Sequence, residues 1–146
     1  MNLSDAVSAM RDTALFRHVD DKRLKVVAMV GETLSYRPGE RIFERGDDGD
    51  AAYIVIDGAV DVLAQSEGIE KKVARLGRGE IFGEIAVLCN LPRTTAIAAS
   101  EELTVLRLGR DELLRLLREF PDVALEMIRI LGERLAATTE RLAAIR

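Results

Sequence analysis

The sequence predicts a mainly β domain of seven or eight short strands, arranged as a closed barrel or jelly roll, with helices at both ends. Three observations support this fold. Glycines concentrate in the middle of the chain, where they separate short alternating apolar and polar runs. Both ends of the chain instead show helical periodicity. In the C-terminal segment the apolar residues also repeat at alternating spacings of four and three, which is the pattern of a two-helix contact.

Residues 1–31 are predicted to form the N-terminal helical segment. Asp20 and Asp21 are suited to begin a helix there, because acidic residues complement the positive end of the helix dipole. Leu24, Val27 and Val30 then lie on one face of this helix. The segment therefore has an apolar face to pack on the rest of the domain.

Residues 32–109 are predicted to form the β-roll core. Apolar and polar residues alternate on both sides of Asp57-Gly58, and this dipeptide is a strong signal for a two-residue hairpin. Further strands are expected at 33–37, 41–45, 71–76, 95–99 and 103–108. The glycines that separate these runs are Gly39, Gly46, Gly49, Gly58, Gly68, Gly77, Gly79 and Gly83. So many short strands in so few residues favour a closed barrel or jelly roll over an open sheet.

Residues 110–146 are predicted to form the C-terminal helices. A short helix covers 111–119, and Pro121 is suited to the first turn of a longer one. The 4-3 repeat in that longer helix comprises Ala124, Ile128, Leu131, Leu135, Thr138, Leu142 and Ile145. This stripe packs either on its own roll or against a second copy of the helix. The charged residues between its members, among them Glu133, Arg134, Glu140 and Arg141, are expected to be solvated.

Composition excludes several classes of function. The 146 residues include 21 basic and 25 acidic side chains, a net charge of −4, with no tryptophan, which argues against a nucleic-acid-binding surface. One cysteine excludes an internal disulfide, and one histidine argues against a metal centre or histidine-based catalysis. The sequence also lacks an apolar run long enough to span a membrane. We therefore expect a cytoplasmic, non-enzymatic protein without a metal.

The chemistry concentrates in residues 79–99. Gly83 allows a ligand to approach the backbone, and residues 84–88 can form a short helix with free N–H groups. Arg93 offers a fork of donors that matches phosphate oxygens, and Thr94 adds a hydroxyl. Glu84 would repel a phosphate, so it needs a donor such as a sugar hydroxyl. The segment therefore predicts a site for a small sugar phosphate.

These residues resemble a known motif. Phe82-Gly83-Glu84-Ile85-Ala86, followed by Pro92-Arg93-Thr94, is similar to the phosphate-binding cassette of the cyclic-nucleotide-binding domain family. Thr95 departs from the family pattern, which commonly has alanine there. The resemblance implies an eight-stranded, jelly-roll-like β-roll with N-terminal helices and a long C-terminal helix. It also implies cyclic AMP as the ligand, with cyclic GMP as the alternative.

The resemblance assigns a role to the residues of this cassette. Glu84 would accept a hydrogen bond from the ribose 2′-hydroxyl, while Gly83 and Ala86 offer backbone groups to the sugar and phosphate. Arg93 would neutralise the cyclic phosphate, and Thr94 would bond to it. Phe82 and Ile85 complete the cassette residues expected at the ligand.

The last helix is similar to the dimer helix of the bacterial cyclic AMP receptor (Crp/Fnr-type) family. Thr138 and Thr139 match a pair of hydroxyl residues that meets the adenine in that family. The resemblance implies a parallel homodimer, in which Thr138 contacts the nucleotide of its own subunit and Thr139 that of the partner. A helix-turn-helix segment does not follow Arg146, so we expect an unknown downstream protein partner and no direct DNA binding.

Two other classes of function stay open from the sequence. The first is a ligand-free β-roll that acts as a structural or docking module for other proteins. The second is a small metal-dependent β-barrel enzyme, which the single histidine, His18, disfavours. The function favoured by the sequence is a cyclic-nucleotide-binding regulatory module that signals through movement of its C-terminal helix.

Overall fold

In the computed structural model, which describes residues 2–144, two four-stranded antiparallel sheets face each other and helices cover one of them. The helices are α1 (Leu3–Arg11), α2 (Asp21–Val30), α3 (Glu84–Cys89), α4 (Arg110–Glu119) and α5 (Pro121–Ala144). The strands are β1 (Glu32–Tyr36), β2 (Arg41–Phe43), β3 (Ala51–Asp57), β4 (Val60–Ser66), β5 (Ile69–Leu76), β6 (Ile81–Phe82), β7 (Ala96–Ala99) and β8 (Leu103–Gly109). The predicted mainly β fold with flanking helices and a long C-terminal helix is confirmed.

The strand order is that of a jelly roll and not of a closed barrel. One sheet has the order β1-β8-β3-β6 and the other β2-β7-β4-β5. No hydrogen-bonded ladder joins the two sheets within residues 2–144. Of the two arrangements that the sequence allowed, the closed barrel is therefore wrong. The sheets instead pack face to face through apolar side chains such as Phe43, Val55, Ile97 and Val105.

The hairpin predicted at Asp57-Gly58 is also wrong. β3 pairs with β6 and β8, whereas β4 pairs with β5 and β7, so the chain crosses from one sheet to the other at Gly58. Both faces of β3 are buried, because one packs against the second sheet and the other against the helices. A strand with two apolar faces belongs in the covered sheet, whereas β4 is only partly buried beyond Val60 and ends in the exposed residues Gln65 and Ser66.

The two-residue hairpin lies at Glu67-Gly68, between β4 and β5. Ser66 faces Ile69 across the ladder, and both turn residues have positive φ angles, 54° for Glu67 and 77° for Gly68. A two-residue turn in which both residues have the left-handed backbone conformation matches the twist of the paired strands. The sequence signal for this hairpin is weak, because Glu67 has a side chain and such residues rarely adopt the left-handed conformation.

The helices form a second core against the outer face of the first sheet. This core contains Met10, Phe16, Leu24, Leu113 and Met127, each of which is almost fully buried. Asp20 caps α2 by accepting a hydrogen bond from the Arg23 N–H at 2.9 Å, as the sequence predicts. Pro121 is the first residue of α5, so that α5 turns back over the roll directly after α4.

Candidate functional site

The cassette lines a cavity of about 220 Å³ at the junction of α3, the second sheet and α5. The cavity wall is apolar on the sheet side and charged at both ends of the cassette. Its residues are Phe43, Val62, Leu76, Phe82, Gly83, Glu84, Ile85, Ala86, Arg93, Thr94, Thr95, Ile97 and Arg134. The structure thus brings the seven cassette residues predicted at the ligand together around one space. A larger cavity, of about 420 Å³, lies on the other side of Arg134 and includes neither Glu84 nor Arg93.

Gly83 makes the close packing of the cassette possible. Its φ angle is +78°, a conformation that residues with side chains rarely adopt. A Cβ atom at this position would lie 2.8 Å from Nη1 of Arg93, so any side chain here would displace the guanidinium. The glycine therefore places α3 and Arg93 next to each other.

Arg93 is a buried cation with an unused donor. Only 3% of its surface is exposed, and its Nη1 and Nη2 atoms donate to the carbonyl oxygens of Gly83 and Ala51, each at 2.6 Å. Its guanidinium lies 4.1 Å from the centre of the Phe43 ring, a cation–π distance. Burial lowers the pKa of Arg93, and the negative charge of Asp50, 3.6 Å away, is among the groups that oppose this shift. Nε of Arg93 has no hydrogen-bond partner within the described chain.

Glu84 is the buried anion at the other end of the cassette, 2% exposed. Burial raises the pKa of its carboxyl group, and the positive charge of Arg134 is the main opposing influence. Oε1 of Glu84 accepts a hydrogen bond from Nη1 of Arg134 at 2.9 Å, and Nη2 of Arg134 donates to the Ile81 carbonyl at 2.9 Å. An ion pair therefore joins the cassette to α5.

Arg134 is predicted from the sequence to be one of the solvated charges of the last helix. The structure corrects this, because Arg134 reaches the buried Glu84, whereas its neighbour Glu133 is exposed and pairs with Arg129. A signal was available in the sequence. Arg134 continues the 4-3-4 spacing of Val123, Met127 and Ile130, the residues through which α5 packs on the helical core.

Thr138 and Thr139 do not line the cavity in this structure. Both are exposed, and their hydroxyls donate to the carbonyl oxygens of Arg134 and Leu135, four residues earlier in the same helix, at 2.9 Å each. This is the usual local bond of a threonine within a helix. Thr138 lies one helical turn after Arg134, the residue that forms the ion pair with Glu84 at the cavity. The predicted residue Ile145 lies outside the described residues.

Two further properties of the described residues concern the grouping of metal-ligating side chains and the apolar character of the helices. Among residues 2–144, the side chains of His, Cys, Asp and Glu nowhere form a cluster of three or more that could hold an ion. Within the same residues, no helix is both long enough and apolar enough to cross a membrane.

Comparison with known proteins agrees with this architecture. Residues 33–120 match the model of the cyclic nucleotide-binding domain. A cyclic AMP receptor protein of Thermus thermophilus is 32% identical over 127 residues, which cover 86% of this chain and 59% of that protein. The chain spans about a fifth to three fifths of the length of the first curated relatives it matches.

Two solved structures have a similar fold. The catabolite activator protein of Thermus thermophilus superposes with a TM-score of 0.84 at 30% identity, covering 91% of this chain and 63% of that one. The regulatory domain of Toxoplasma gondii PKA, crystallised with cyclic AMP, superposes with a TM-score of 0.70 at 28% identity, covering 77% of this chain and 43% of that one. The family match spans most of the roll and the whole cassette, and the chain therefore belongs to the cyclic nucleotide-binding domain family.

Proposed function

We propose that this chain binds cyclic AMP in the cassette cavity, with cyclic GMP as the alternative ligand, and that it works as a regulatory module without catalysis. One observation carries the proposal: a buried cation and a buried anion, Arg93 and Glu84, lie at the two ends of one cassette around one cavity. A cyclic nucleotide has matching chemistry, because its phosphate suits the arginine fork and its ribose hydroxyl suits the carboxylate. The cyclic AMP bound by the Toxoplasma gondii domain supports the choice of ligand.

The unpartnered Nε of Arg93 supports a phosphate at that end. A buried donor that lacks an acceptor costs about 1–3 kcal/mol, and a charged one costs more. An anion that reaches Nε from the cavity would remove this cost. Thr94, which is exposed at the cavity, supplies a hydroxyl next to the same place, where it can bond to the phosphate or, with cyclic GMP, to the guanine.

Movement of α5 is the proposed output. Arg134 already joins α5 to Glu84, so a ribose hydroxyl that bonds to Glu84 competes with this ion pair or reorganises it. Any ligand that binds one arrangement of α5 better than another shifts the balance between the two. The position of α5 would in this way report to a downstream protein whether the cavity is occupied.

The exposed side of α5 suits a second copy of the same helix. Ile128, Leu135 and Leu142 are each more than 60% exposed, and they belong to the 4-3 stripe. At about 100° per residue, Thr138 lies at the edge of the stripe nearest the side that packs on the roll, and Thr139 lies beyond the opposite edge. In a parallel homodimer, the roles that the resemblance implies would place Thr138 at its own cavity and Thr139 at the partner's.

The dimer is tested by sedimentation velocity on paired variants. Leu135→Glu places a charge in the stripe and is expected to convert a dimer into monomers. Leu125→Glu is the matched control, because Leu125 is as exposed, at 64% against 67% for Leu135, but lies outside the stripe. A wild-type monomer, or equal dissociation of both variants, contradicts the proposal. Thr139→Ala is expected to weaken nucleotide binding only in the dimer.

The ligand is tested by calorimetry on protein that has been unfolded and refolded to remove any bound nucleotide. We expect micromolar or tighter binding of cyclic AMP, weaker binding of cyclic GMP, and no measurable binding of 5′-AMP. The second candidate, a docking module without a ligand, is favoured by the large exposed apolar stripe of α5. It predicts no heat with any of the three nucleotides and no rise in melting temperature.

A further inference from the structure

The turn between β2 and β3, residues 46–50, is bonded directly to the end of the cassette. The Gly46 N–H donates to the Arg93 carbonyl and the Arg93 N–H donates to the Asp47 carbonyl, both at 2.8 Å. Gly49 packs against α3 so closely that an added Cβ atom would lie 2.4 Å from Cβ of Ala86. This turn and the cassette therefore form one packed unit.

Arg110, the first residue of α4, contacts this unit in three places. Its backbone N–H donates to the Asp50 carbonyl at 2.9 Å. Its guanidinium donates from Nη2 to the Gly49 carbonyl at 2.7 Å and from Nη1 to the Val87 carbonyl at 3.0 Å. One partly buried side chain thus links the β2–β3 turn, the cassette helix α3 and the start of α4.

We propose that Arg110 is a positioning residue that transmits occupancy of the cassette cavity to α4 and, through it, to α5. Val87 is in the last turn of α3, where carbonyl groups lack partners within the helix and the helix dipole favours a positive charge. The guanidinium fork has a fixed geometry, so α3 cannot move relative to the turn without shifting α4 or breaking a bond. α4 leads into α5 at Pro121, and α5 carries Arg134. A shift of α4 would therefore move the helix that holds Arg134 against Glu84.

An arginine is required because both carbonyls must be held at once. A lysine at this position keeps the positive charge and the alkyl stem, but as a point charge it lacks the fork that bridges two fixed acceptors. Arg110→Lys should therefore preserve the fold and the charge near the end of α3, and it should loosen the link. Arg118→Lys is the matched control, because Arg118 is on the same helix and is exposed.

The test rests on the proposed function and uses hydrogen exchange of the full chain with and without saturating cyclic AMP. In the wild type and in Arg118→Lys, we expect the nucleotide to slow exchange both in residues 79–95 and in residues 110–144. In Arg110→Lys, the response of residues 79–95 should remain, whereas the response of residues 110–144 should fall by at least half. The affinity should fall by about tenfold, the loss expected for one hydrogen bond to a charged group. A side chain with only a structural role would reduce both responses together.

The outcomes separate the two proposals. If residues 79–95 of the wild type do not respond to saturating cyclic AMP or cyclic GMP, the proposed function fails, and the role of Arg110 fails with it. If residues 79–95 respond and Arg110→Lys keeps the full response of residues 110–144, only the role of Arg110 is overturned. Arg110→Gln, which lacks both the fork and the charge, is the second variant, and an intact response in it would overturn the role equally.

Discussion

Arg93→Ala is expected to weaken cyclic AMP binding by about 100-fold or more, which corresponds to ~2.7 kcal/mol. The reason is the burial of this guanidinium beside the cavity: Arg93 lines the cassette cavity, it is 3% exposed, and its Nε has no hydrogen-bond partner within the described chain. A charge-assisted hydrogen bond to phosphate is strong in such a place, because little water is present to compete with it. Calorimetry with cyclic AMP measures the loss.

The fold should survive this substitution. Arg93 stabilises the ligand-free protein through bonds to the Gly83 and Ala51 carbonyls, but burying its charge costs free energy. We expect these effects to offset each other to within about 2 kcal/mol in the free energy of unfolding measured in urea. Arg93→Lys keeps the charge without the fork and should bind the nucleotide with intermediate affinity. Wild-type affinity in a folded Arg93→Ala protein would contradict the assigned role of Arg93.

The cassette could be predicted from the sequence because its chemistry lies in one short segment. Gly83, Glu84 and Arg93 are at most ten residues apart, and they belong to one continuous motif that resembles the phosphate-binding cassette of the family. The structure brings all three to one cavity. The resemblance could bring these residues together because the motif is short and α3 and the turns around it are themselves local structures.

The bond between Glu84 and Arg134 could not be predicted in the same way. The two residues are 50 positions apart, and their contact depends on how α5 packs over the roll. The predicted pairing of β3 with β4 was wrong for a related reason. Asp57-Gly58 turns the chain, but whether β3 then pairs with β4 depends on which sheet can bury both faces of β3. Local signals place turns and motifs, whereas the burial of whole faces decides which segments meet.

Glu84→Gln is expected to weaken cyclic AMP binding about 10- to 100-fold, the loss of a hydrogen bond to a charged group. If Glu84 accepts a bond from the 2′-hydroxyl, the loss disappears with a ligand that lacks this group. The affinity for 2′-deoxy cyclic AMP should therefore be nearly equal in the wild type and in Glu84→Gln. Glu101→Gln is the matched control, because Glu101 is exposed and pairs with Arg75. A wild type that binds both nucleotides equally would contradict the role of Glu84.

The pH dependence of binding gives an independent measure of the same carboxyl group. Burial raises the pKa of Glu84 above the ordinary value of 4.5, and the ribose hydroxyl requires the carboxylate form. The affinity of the wild type should therefore be constant near neutral pH and should fall as the pH drops through the raised pKa. Because the pKa is raised, this fall begins at a higher pH than an exposed glutamate would give. Glu84→Gln should show no such fall, and parallel profiles of the two proteins would mean that another group titrates with binding.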